Sequence, residues 1–302
     1  MEAYIVGGII KEFRLRFNIS QEELCDGLCA VSTLSRIESG KQITGRKLIE
    51  ALFSRMGLRP HTSAIPMSKI DLKRENIEYE INDMIATGNF EIFDLLEEYK
   101  TCGNELDTLE KQFYLFYKTV AEDFFHSSKT DSLENFIKAL QLSLKNYDVE
   151  KLPNVKLLTK IELLLLNNIA RILYDLKKTK QAIEIMEFLR SYFENKVINE
   201  EEKAKNYPVV LFNLENWYGE FGKHEEVLKF CNIGIDTCIH YGKLTQFPFH
   251  IFNKGCSLIK LGKIEDGKEF ISEAFIILKA MKRFDDIEYG KKWIDENLNI
   301  KL

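Results

Sequence analysis

Three asparagines stand at equivalent positions in three similar segments of the chain: Asn168, Asn213 and Asn253. The segments read NIARILYDLKKTKQAIE, NLENWYGEFGKHEEVLK and NKGCSLIKLGKIEDGKE, and in each an apolar residue follows the asparagine after eight positions and a lysine after ten. A carboxamide can donate to a carbonyl oxygen and accept from an N–H group at the same time. Such side chains suit a peptide backbone, whose amides cannot be buried unpaired. The alternative is that each asparagine only joins neighbouring helices.

Other polar and aromatic residues lie at helical spacing from these asparagines, so that they fall on one face. We expect that face to include Asn167, Arg171, Asp175, Phe212, Asn216, Glu220, Phe249 and Lys260. The face thus combines amide, charged and aromatic groups. Binding of a ligand would explain such a set, and no catalytic centre is needed.

Residue patterns typical of enzymes do not occur in the chain. The five histidines are scattered, and the sequence has no HExxH, GxSxG or P-loop pattern. The six cysteines form no CxxC pair, so we expect reduced thiols with a mostly structural role. The sequence therefore predicts no catalytic residue, no metal site and no cofactor.

The composition is that of a soluble globular protein, with 45% apolar and 29% charged residues. The charged N-terminus leaves no signal-peptide core, and the longest apolar run is far short of the ~20 residues needed to span a bilayer. We therefore expect a cytoplasmic protein without a membrane partner. Residues 1–60 hold nine Lys and Arg against seven Asp and Glu, whereas the whole chain carries 42 against 47. A weakly basic head on an acidic body is compatible with DNA binding by the head.

Residues 5–58 have the pattern of a bundle of short helices. Ser20 and Glu23 have the spacing of a capping box, which predicts that a second helix begins there. In the helix after it, Leu34 and Ile37 have the spacing of a buried stripe. The residues between and around them should therefore lie on an outward face.

The string SQEELCDGLCAVSTLSRIESGK, within a match over residues 6–58, resembles the helix-turn-helix of the phage-repressor or XRE type. In such folds the third helix lies in the major groove of DNA. The resemblance implies that Arg14 and Glu38 pair internally, that Arg36 forks onto a guanine, and that Gln21 bonds a phosphate. The predicted DNA-binding set is Gln21, Ser32, Thr33, Ser35, Arg36, Ser39, Lys41 and Gln42. The alternative is a small helical bundle with a solvated polar face.

The second part of the chain has the pattern of helical repeats. The aligned segments start 45 and 40 residues apart, and their order of helix A, Gly/Lys turn and helix B resembles the tetratricopeptide (TPR) repeat. Two weaker copies are expected before them, with turns near residues 87–89 and 127–130, and a capping helix after them from Asp286. Stacking of such pairs buries a continuous core, and helix A lines the concave side.

These observations predict an all-α fold in which an XRE-type helix-turn-helix bundle is followed by a right-handed TPR-like helical-repeat superhelix. The proline-containing stretch between the two parts reads as a linker. The expected domains are a helix-turn-helix DNA-binding domain at 1–60, a linker at 61–69, and a ligand-binding and dimerisation domain at 70–302.

A helix-turn-helix followed by about five TPR-like pairs resembles the RRNPP group, the PlcR- and Rgg-type pheromone receptors of Gram-positive bacteria. The resemblance covers essentially the whole chain. It implies a homodimeric transcriptional regulator of quorum sensing that binds a pseudo-palindromic operator in double-stranded DNA. It also implies that Asn168 and Asn213, and Asn253 by repeat symmetry, hold the backbone of a short signalling peptide, which shifts the spacing of the two DNA-binding domains.

Two alternatives to a peptide-responsive regulator stay open. In the first, the TPR-like domain of a helix-turn-helix regulator binds a protein partner and ignores free peptide. In the second, the chain is a TPR protein that inhibits a response regulator, and its helix-turn-helix is only accessory. The intact helix-turn-helix pattern argues against the second.

Overall fold

The structure is a computed structural model. It describes residues 2–59, 67–125, 128–298 and 300. Every regular element in these ranges is an α-helix, which confirms the predicted all-helical class. Most of the predicted linker at 61–69 lies outside the described residues.

The described helices follow one another along the chain, and the longest described connection covers residues 142–159. The N-terminal bundle contains α1 (Glu2–Arg16), α2 (Gln21–Cys25), α3 (Val31–Glu38) and α4 (Arg46–Arg55). The helices that follow are α5 (Lys69–Ala86), α6 (Phe93–Thr101), α7 (Thr108–Phe124), α8 (Lys129–Gln141), α9 (Lys160–Asp175), α10 (Thr179–Asn195), α11 (Glu200–Glu220), α12 (His224–Tyr241), α13 (Phe247–Lys260), α14 (Ile264–Ala280) and α15 (Phe284–Asn297). None of the described helices is long and apolar enough to cross a bilayer.

The chain divides into two compact units. The first comprises Met1–Phe188 and Asn195–Asn199, and the second comprises Leu189–Glu194 and Glu200–Leu302. The first unit thus holds the N-terminal bundle together with the helices through α9. The second holds α11 to α15.

Local sequence signals determine where the helices of the N-terminal bundle begin and end and which face is buried. The Ser20 hydroxyl accepts from the Glu23 N–H at 3.1 Å, and the Glu23 carboxylate accepts from the Ser20 N–H at 2.9 Å, so the predicted capping box starts α2. Leu34 and Ile37 are buried in the bundle core, as their spacing predicted. Gly40 then takes the left-handed conformation that ends α3.

The three aligned segments form helix pairs joined by turns of the same kind. Each turn has one residue with positive φ: Lys177 at 62°, Gly222 at 69° and Gly262 at 84°. The repeated lysine that comes next donates its backbone N–H to the carbonyl five positions earlier, over 2.8–3.0 Å. This is a Schellman motif, which satisfies carbonyls at the end of helix A. The recurring Gly/Lys pattern therefore marks the turn geometry of TPR-like repeats.

The two weaker copies and the last helix are also present. α5 and α6 form one pair, with the turn at residues 87–92, and α7 and α8 form another. The last helix begins at Phe284, two residues before the predicted start at Asp286. The chain is thus a helix-turn-helix bundle followed by TPR-like helical repeats.

The bundle packs on the first repeats within the first unit. On α4, the Arg46 guanidinium donates to the Glu78 carboxylate of α5 at 2.5 and 3.1 Å. At the end of α4, Arg55 donates to Glu162 of α9 at 3.2 Å. All four side chains are almost completely buried, so the contact between bundle and repeats contains paired charges as well as apolar groups.

Two adjacent glycines in α1 provide a test of the bundle packing. A Cβ on Gly7 would lie 1.8 Å from the Ile37 carbonyl oxygen of α3, whereas a Cβ on Gly8 meets nothing within 4 Å. We expect Gly7→Ala to lower the free energy of unfolding by about 1–3 kcal/mol because the helices must separate. Gly8→Ala, the matched control, should be neutral or stabilise by up to about 1 kcal/mol. Equal effects of the two substitutions in urea denaturation would contradict this packing.

Candidate functional site

The outward face of α3 presents the polar residues that the sequence placed there. Ser32, Ser35 and Arg36 are exposed, and Thr33 is half-buried. After the helix, Lys41 is exposed and Gln42 is half-buried. The face carries one positive charge among small hydroxyl groups, which leaves room for close approach of another molecule.

A buried ion pair lies behind this face. Arg14 of α1 donates from Nε and Nη2 to the two carboxylate oxygens of Glu38 of α3, at 2.6 and 2.9 Å. This pairing was expected from the resemblance. Burial raises the pKa of Glu38, but the hydrogen bonds from Arg14 and Gln21 outweigh it, so the pKa lies below its ordinary value. The pair therefore stays charged at neutral pH and fixes α3 against α1.

Two of the predicted DNA-binding residues have partners inside the bundle. The Gln21 amide donates to Glu38 Oε2 at 2.7 Å and so extends the buried ion pair to α2. The Ser39 hydroxyl donates to the Ser35 and Arg36 carbonyls at 2.9 and 3.1 Å. Gln21 thus helps to position α3, whereas Ser39 satisfies carbonyls at the end of that helix; the sequence pattern contained nothing that indicated these contacts.

The predicted ligand-binding residues of α9 belong to the first unit. Asn168 is half-buried, and its amide donates to the Leu164 carbonyl of its own helix at 2.9 Å. Asn167 is half-buried as well. Arg171 donates to Asp123 of α7 at 2.6 Å and lies 3.6 Å from Asp175.

Asp123 and Lys129 are polar neighbours of this site that the sequence did not single out. Lys129 Nζ donates to Asp123 at 2.7 Å and lies 3.9 Å from Asp175. Burial raises the pKa of Asp123, yet the hydrogen bonds from Lys129 and Arg171 lower it below its ordinary value. Asp123 comes from the end of α7, more than forty positions before Arg171, so no local spacing could have revealed it.

Four half-buried residues of the second unit form a continuous strip on α11 and α13, which we call the α11–α13 strip: Phe212, Asn216, Phe249 and Asn253. The two aromatic rings meet edge to face, with centroids 5.7 Å apart. The Asn253 amide donates to the Asn216 amide oxygen at 3.0 Å. The strip therefore places two carboxamides beside two aromatic rings, as the spacing along each helix indicated.

The other predicted residues of the second unit lie around this strip. Asn213 is half-buried on α11, and Glu220 is exposed at the end of the same helix. Lys260 is exposed at the end of α13 and donates to the Asn297 carbonyl at 2.7 Å. Arg283, which the sequence did not indicate, places its guanidinium 4.7 Å from the centre of the Phe249 ring in a cation–π contact.

The described residues contain no group of three or more His, Cys, Asp or Glu side chains that could hold a metal ion. The arrangement on α3 can bind a surface through hydrogen bonds and charge. The arrangement on α11 and α13 can bind amide groups and an apolar side chain.

The fold and these surfaces define a helix-turn-helix protein with TPR-like repeats, and residues 10–61 match the helix-turn-helix family model. The chain is similar to PlcR of Bacillus thuringiensis in complex with the peptide PapR7 and DNA, with 20% identity and a TM-score of 0.61 over 94% of this chain and 98% of that chain. It is also similar to the apo form of PlcR, with 20% identity and a TM-score of 0.59 over 97% and 99%.

A third solved structure is similar over about two thirds of its own chain. Aspartyl phosphate phosphatase F of Bacillus subtilis is 15% identical, with a TM-score of 0.51 over 96% of this chain and 67% of that chain. No curated protein matches the sequence. At these identities the likeness establishes the architecture, and function must be argued from the surfaces themselves.

Proposed function

We propose that this chain is a DNA-binding transcriptional regulator of quorum-sensing type, controlled by a short signalling peptide that binds its TPR-like domain. The observation that carries the proposal is the exposed polar face of α3 on a buried Arg14–Glu38 pair. The protein works in the cytoplasm as a homodimer on a pseudo-palindromic operator and catalyses no reaction. PlcR, which has a similar fold, is described in complex with both a peptide and DNA.

The geometry of α3 supports reading of base edges. Leu34 and Ile37 anchor the helix in the core, which turns Arg36 outward in the last turn of the helix. A guanidinium can donate two hydrogen bonds to the O6 and N7 atoms of guanine. Ser32 and Ser35 lie on the same exposed face and are short enough to let the helix enter the major groove.

The remaining proposed DNA contacts go to the backbone. Lys41 and Gln42 follow α3 directly and can reach phosphates. Gln21 lies in the first turn of α2, where the helix dipole favours a phosphate. Its amide already donates to Glu38, so a phosphate contact from Gln21 would link DNA directly to the Arg14–Glu38 pair.

The α11–α13 strip supports a peptide as the ligand. Amide groups satisfy a peptide backbone, and the adjacent Phe212 and Phe249 rings can cover an apolar side chain. The proposed peptide-binding residues are Asn167, Asn168, Arg171, Asp175, Asn213, Asn216, Glu220, Phe249, Asn253 and Lys260.

The DNA half of the proposal is tested by selecting duplexes from a random pool with the full-length protein. We expect Arg36→Ala to weaken binding of the selected duplex by about 1–3 kcal/mol and to relax one base preference. The control is Lys292→Ala, because the Lys292 side chain is exposed on α15, and this variant should leave affinity unchanged. Unchanged affinity of Arg36→Ala, measured by fluorescence anisotropy, would refute the assigned face.

A second candidate function has one observation in its favour. The fold likeness to aspartyl phosphate phosphatase F allows a TPR protein that acts on a response regulator, with the helix-turn-helix as an accessory. The match of residues 10–61 to the helix-turn-helix family favours the DNA-binding function. If the full-length protein enriches no sequence from the random duplex pool with or without peptide, this second candidate replaces the first.

A further inference from the structure

Glu215 is an acidic residue that lies almost completely buried in the second unit, next to the α11–α13 strip. Its Oε1 atom lies 2.6 Å from His250 Nδ1, and its Oε2 atom accepts from the Asn253 amide at 3.0 Å. Burial, followed by the nearby Glu215 charge, raises the pKa of the Cys231 thiol of α12 well above its ordinary value. A buried carboxylate is tolerated only when its oxygens are paired, so these contacts hold Glu215 in one orientation.

The His250 ring has one fixed position against Glu215, because α12 encloses the imidazole. The ring is completely buried. A Cβ on Gly234 of α12 would lie 2.6 Å from its Nδ1 and Cε1 atoms, so the glycine leaves the space that the imidazole occupies. The contact pairs one oxygen of the carboxyl group with Nδ1, which donates when the carboxylate is ionised. The imidazole thus holds one carboxylate oxygen, and the other oxygen remains for Asn253.

The Glu215 Oε2 atom determines which way the neighbouring amides point, because it accepts from Asn253. Asn253 must turn its NH2 group toward Glu215, because the reverse orientation would set its oxygen against the carboxylate. The second hydrogen of that NH2 group goes to Asn216 Oδ1 at 3.0 Å, which in turn fixes the Asn216 amide. Within the described residues, Asn253 Oδ1 and Asn216 Nδ2 make no hydrogen bond. One acceptor and one donor therefore remain side by side on the half-buried strip.

We infer that Glu215 is a positioning residue that sets the hydrogen-bonding polarity of the ligand site through His250, Asn253 and Asn216. Asn253 accepts from a ligand N–H, and Asn216 donates to a ligand C=O. In extended backbone the N–H and C=O groups of one residue point to the same edge, as in a β-ladder, so the pair binds one extended residue of a peptide. The inference rests on the proposed peptide-binding function and adds to it the direction of the amide contacts.

The orientation of the Asn253 amide is measurable in the ligand-free full-length protein. Both side-chain N–H hydrogens of Asn253 are engaged, so its NH2 resonances should exchange slowly with solvent in ¹⁵N-resolved NMR spectra. In Glu215→Met, which has a similar volume but no acceptor, these resonances should exchange at least about tenfold faster. Fast exchange in the wild-type protein, or no difference in Glu215→Met, would overturn the assigned network.

The effect of Glu215 on peptide binding is measured with the tightest-binding peptide that the wild-type protein selects from a random heptapeptide pool. Glu215→Met should bind it about tenfold more weakly, since a contact in the site loses its orientation. Glu215→Gln should lose only about twofold, because in one amide orientation the glutamine oxygen still accepts from Asn253 while its NH2 group donates to Nδ1 of the other neutral His250 tautomer, and only the flipped orientation is not competent. This recovery separates positioning from a general loss of packing.

A variant on the strip itself tests the polarity without touching the buried carboxylate. In Asn216→Asp the new side chain still accepts from Asn253 but cannot donate, so peptide binding should weaken at least about tenfold. Asn232→Asp, an exposed substitution on α12, is the matched control and should bind as wild type does. If the wild type selects no peptide, the proposed function fails; if it does and Asn216→Asp or Glu215→Met binds equally well, only the inference fails.

Discussion

Replacement of Glu78 by alanine should lower the free energy of unfolding by about 3–5 kcal/mol, because it removes the buried carboxylate that pairs with two cations of α4. Arg46 and Lys47 of α4 both donate to the Glu78 carboxylate, at 2.5 and 2.7 Å for the shortest contacts. The Tyr99 hydroxyl of α6 donates to it as well, at 2.9 Å. One carboxylate thus joins α4, α5 and α6.

The pKa of Glu78 predicts how this loss of unfolding free energy depends on pH. Burial raises the pKa of Glu78, but the Lys47 charge and the Arg46 pairing outweigh burial and lower the pKa below its ordinary value of 4.5. A depressed folded-state pKa contributes stability that is complete above the unfolded-state value and is lost as pH falls through the folded-state value. The difference between wild type and Glu78→Ala should therefore be largest near neutral pH and shrink below about pH 4.5.

A matched control separates burial from charge in this experiment. Glu50 also pairs with Arg46, at 2.6 Å, but its side chain is 30% exposed. Glu50→Ala should cost less than about 1 kcal/mol, as expected for a partly solvated pair. Urea denaturation at several pH values decides the matter: equal losses in the two variants, or a Glu78→Ala loss that does not change with pH, would show that Glu78 acts through packing alone.

Features built from neighbouring residues were predictable from the sequence. The Ser20–Glu23 capping box and the repeated Gly/Lys turns each lie within a few positions of chain, and their rules depend on local geometry. The buried stripe of α3 follows from helical spacing alone. These patterns determined the class of fold and the outward face, which includes Arg36.

The buried charges could not be predicted in the same way. Glu78, Glu162 and Glu215 are buried acidic residues, and their lysine, arginine and histidine partners lie 31 to 107 positions away. Nothing in local spacing distinguishes Glu78 and Glu215 from solvated residues, whereas Glu162 has the spacing of a capping box with Thr159. The sequence does not reveal that His250 meets Glu215 in the core.

In the candidate site, too, helical spacing was informative, whereas contacts between distant residues could not be predicted. Helical spacing placed Asn216 and Asn253 on the face of their helices, and the structure brings them within hydrogen-bonding distance. Which atom of each amide faces outward depends on Glu215, which the spacing did not identify. The residue types of the binding surface were therefore predictable, whereas its hydrogen-bonding polarity was not.

The contact between the bundle and α9 depends on Arg55 and Glu162, and removal of either charge alone should cost about 3–5 kcal/mol of unfolding free energy. Arg55 also donates to the Leu24 and Asp26 carbonyls at 3.1 and 2.5 Å, so Arg55→Met leaves both of these carbonyls without that donor. Glu162→Met instead leaves a guanidinium buried without its carboxylate.

A double-mutant cycle is the decisive measurement on the Arg55–Glu162 pair. When both charges are replaced, no uncompensated charge is left, so Arg55→Met with Glu162→Met should be less destabilised than the sum of the two single variants by at least about 1 kcal/mol. The coupling should survive high salt, because the pair is buried from solvent and is screened little. Additive losses in a double-mutant cycle, measured by urea denaturation, would mean that the two side chains do not act as a pair. The attachment of the bundle to α9 would then rest on apolar packing and on the Ser54–Lys160 hydrogen bond.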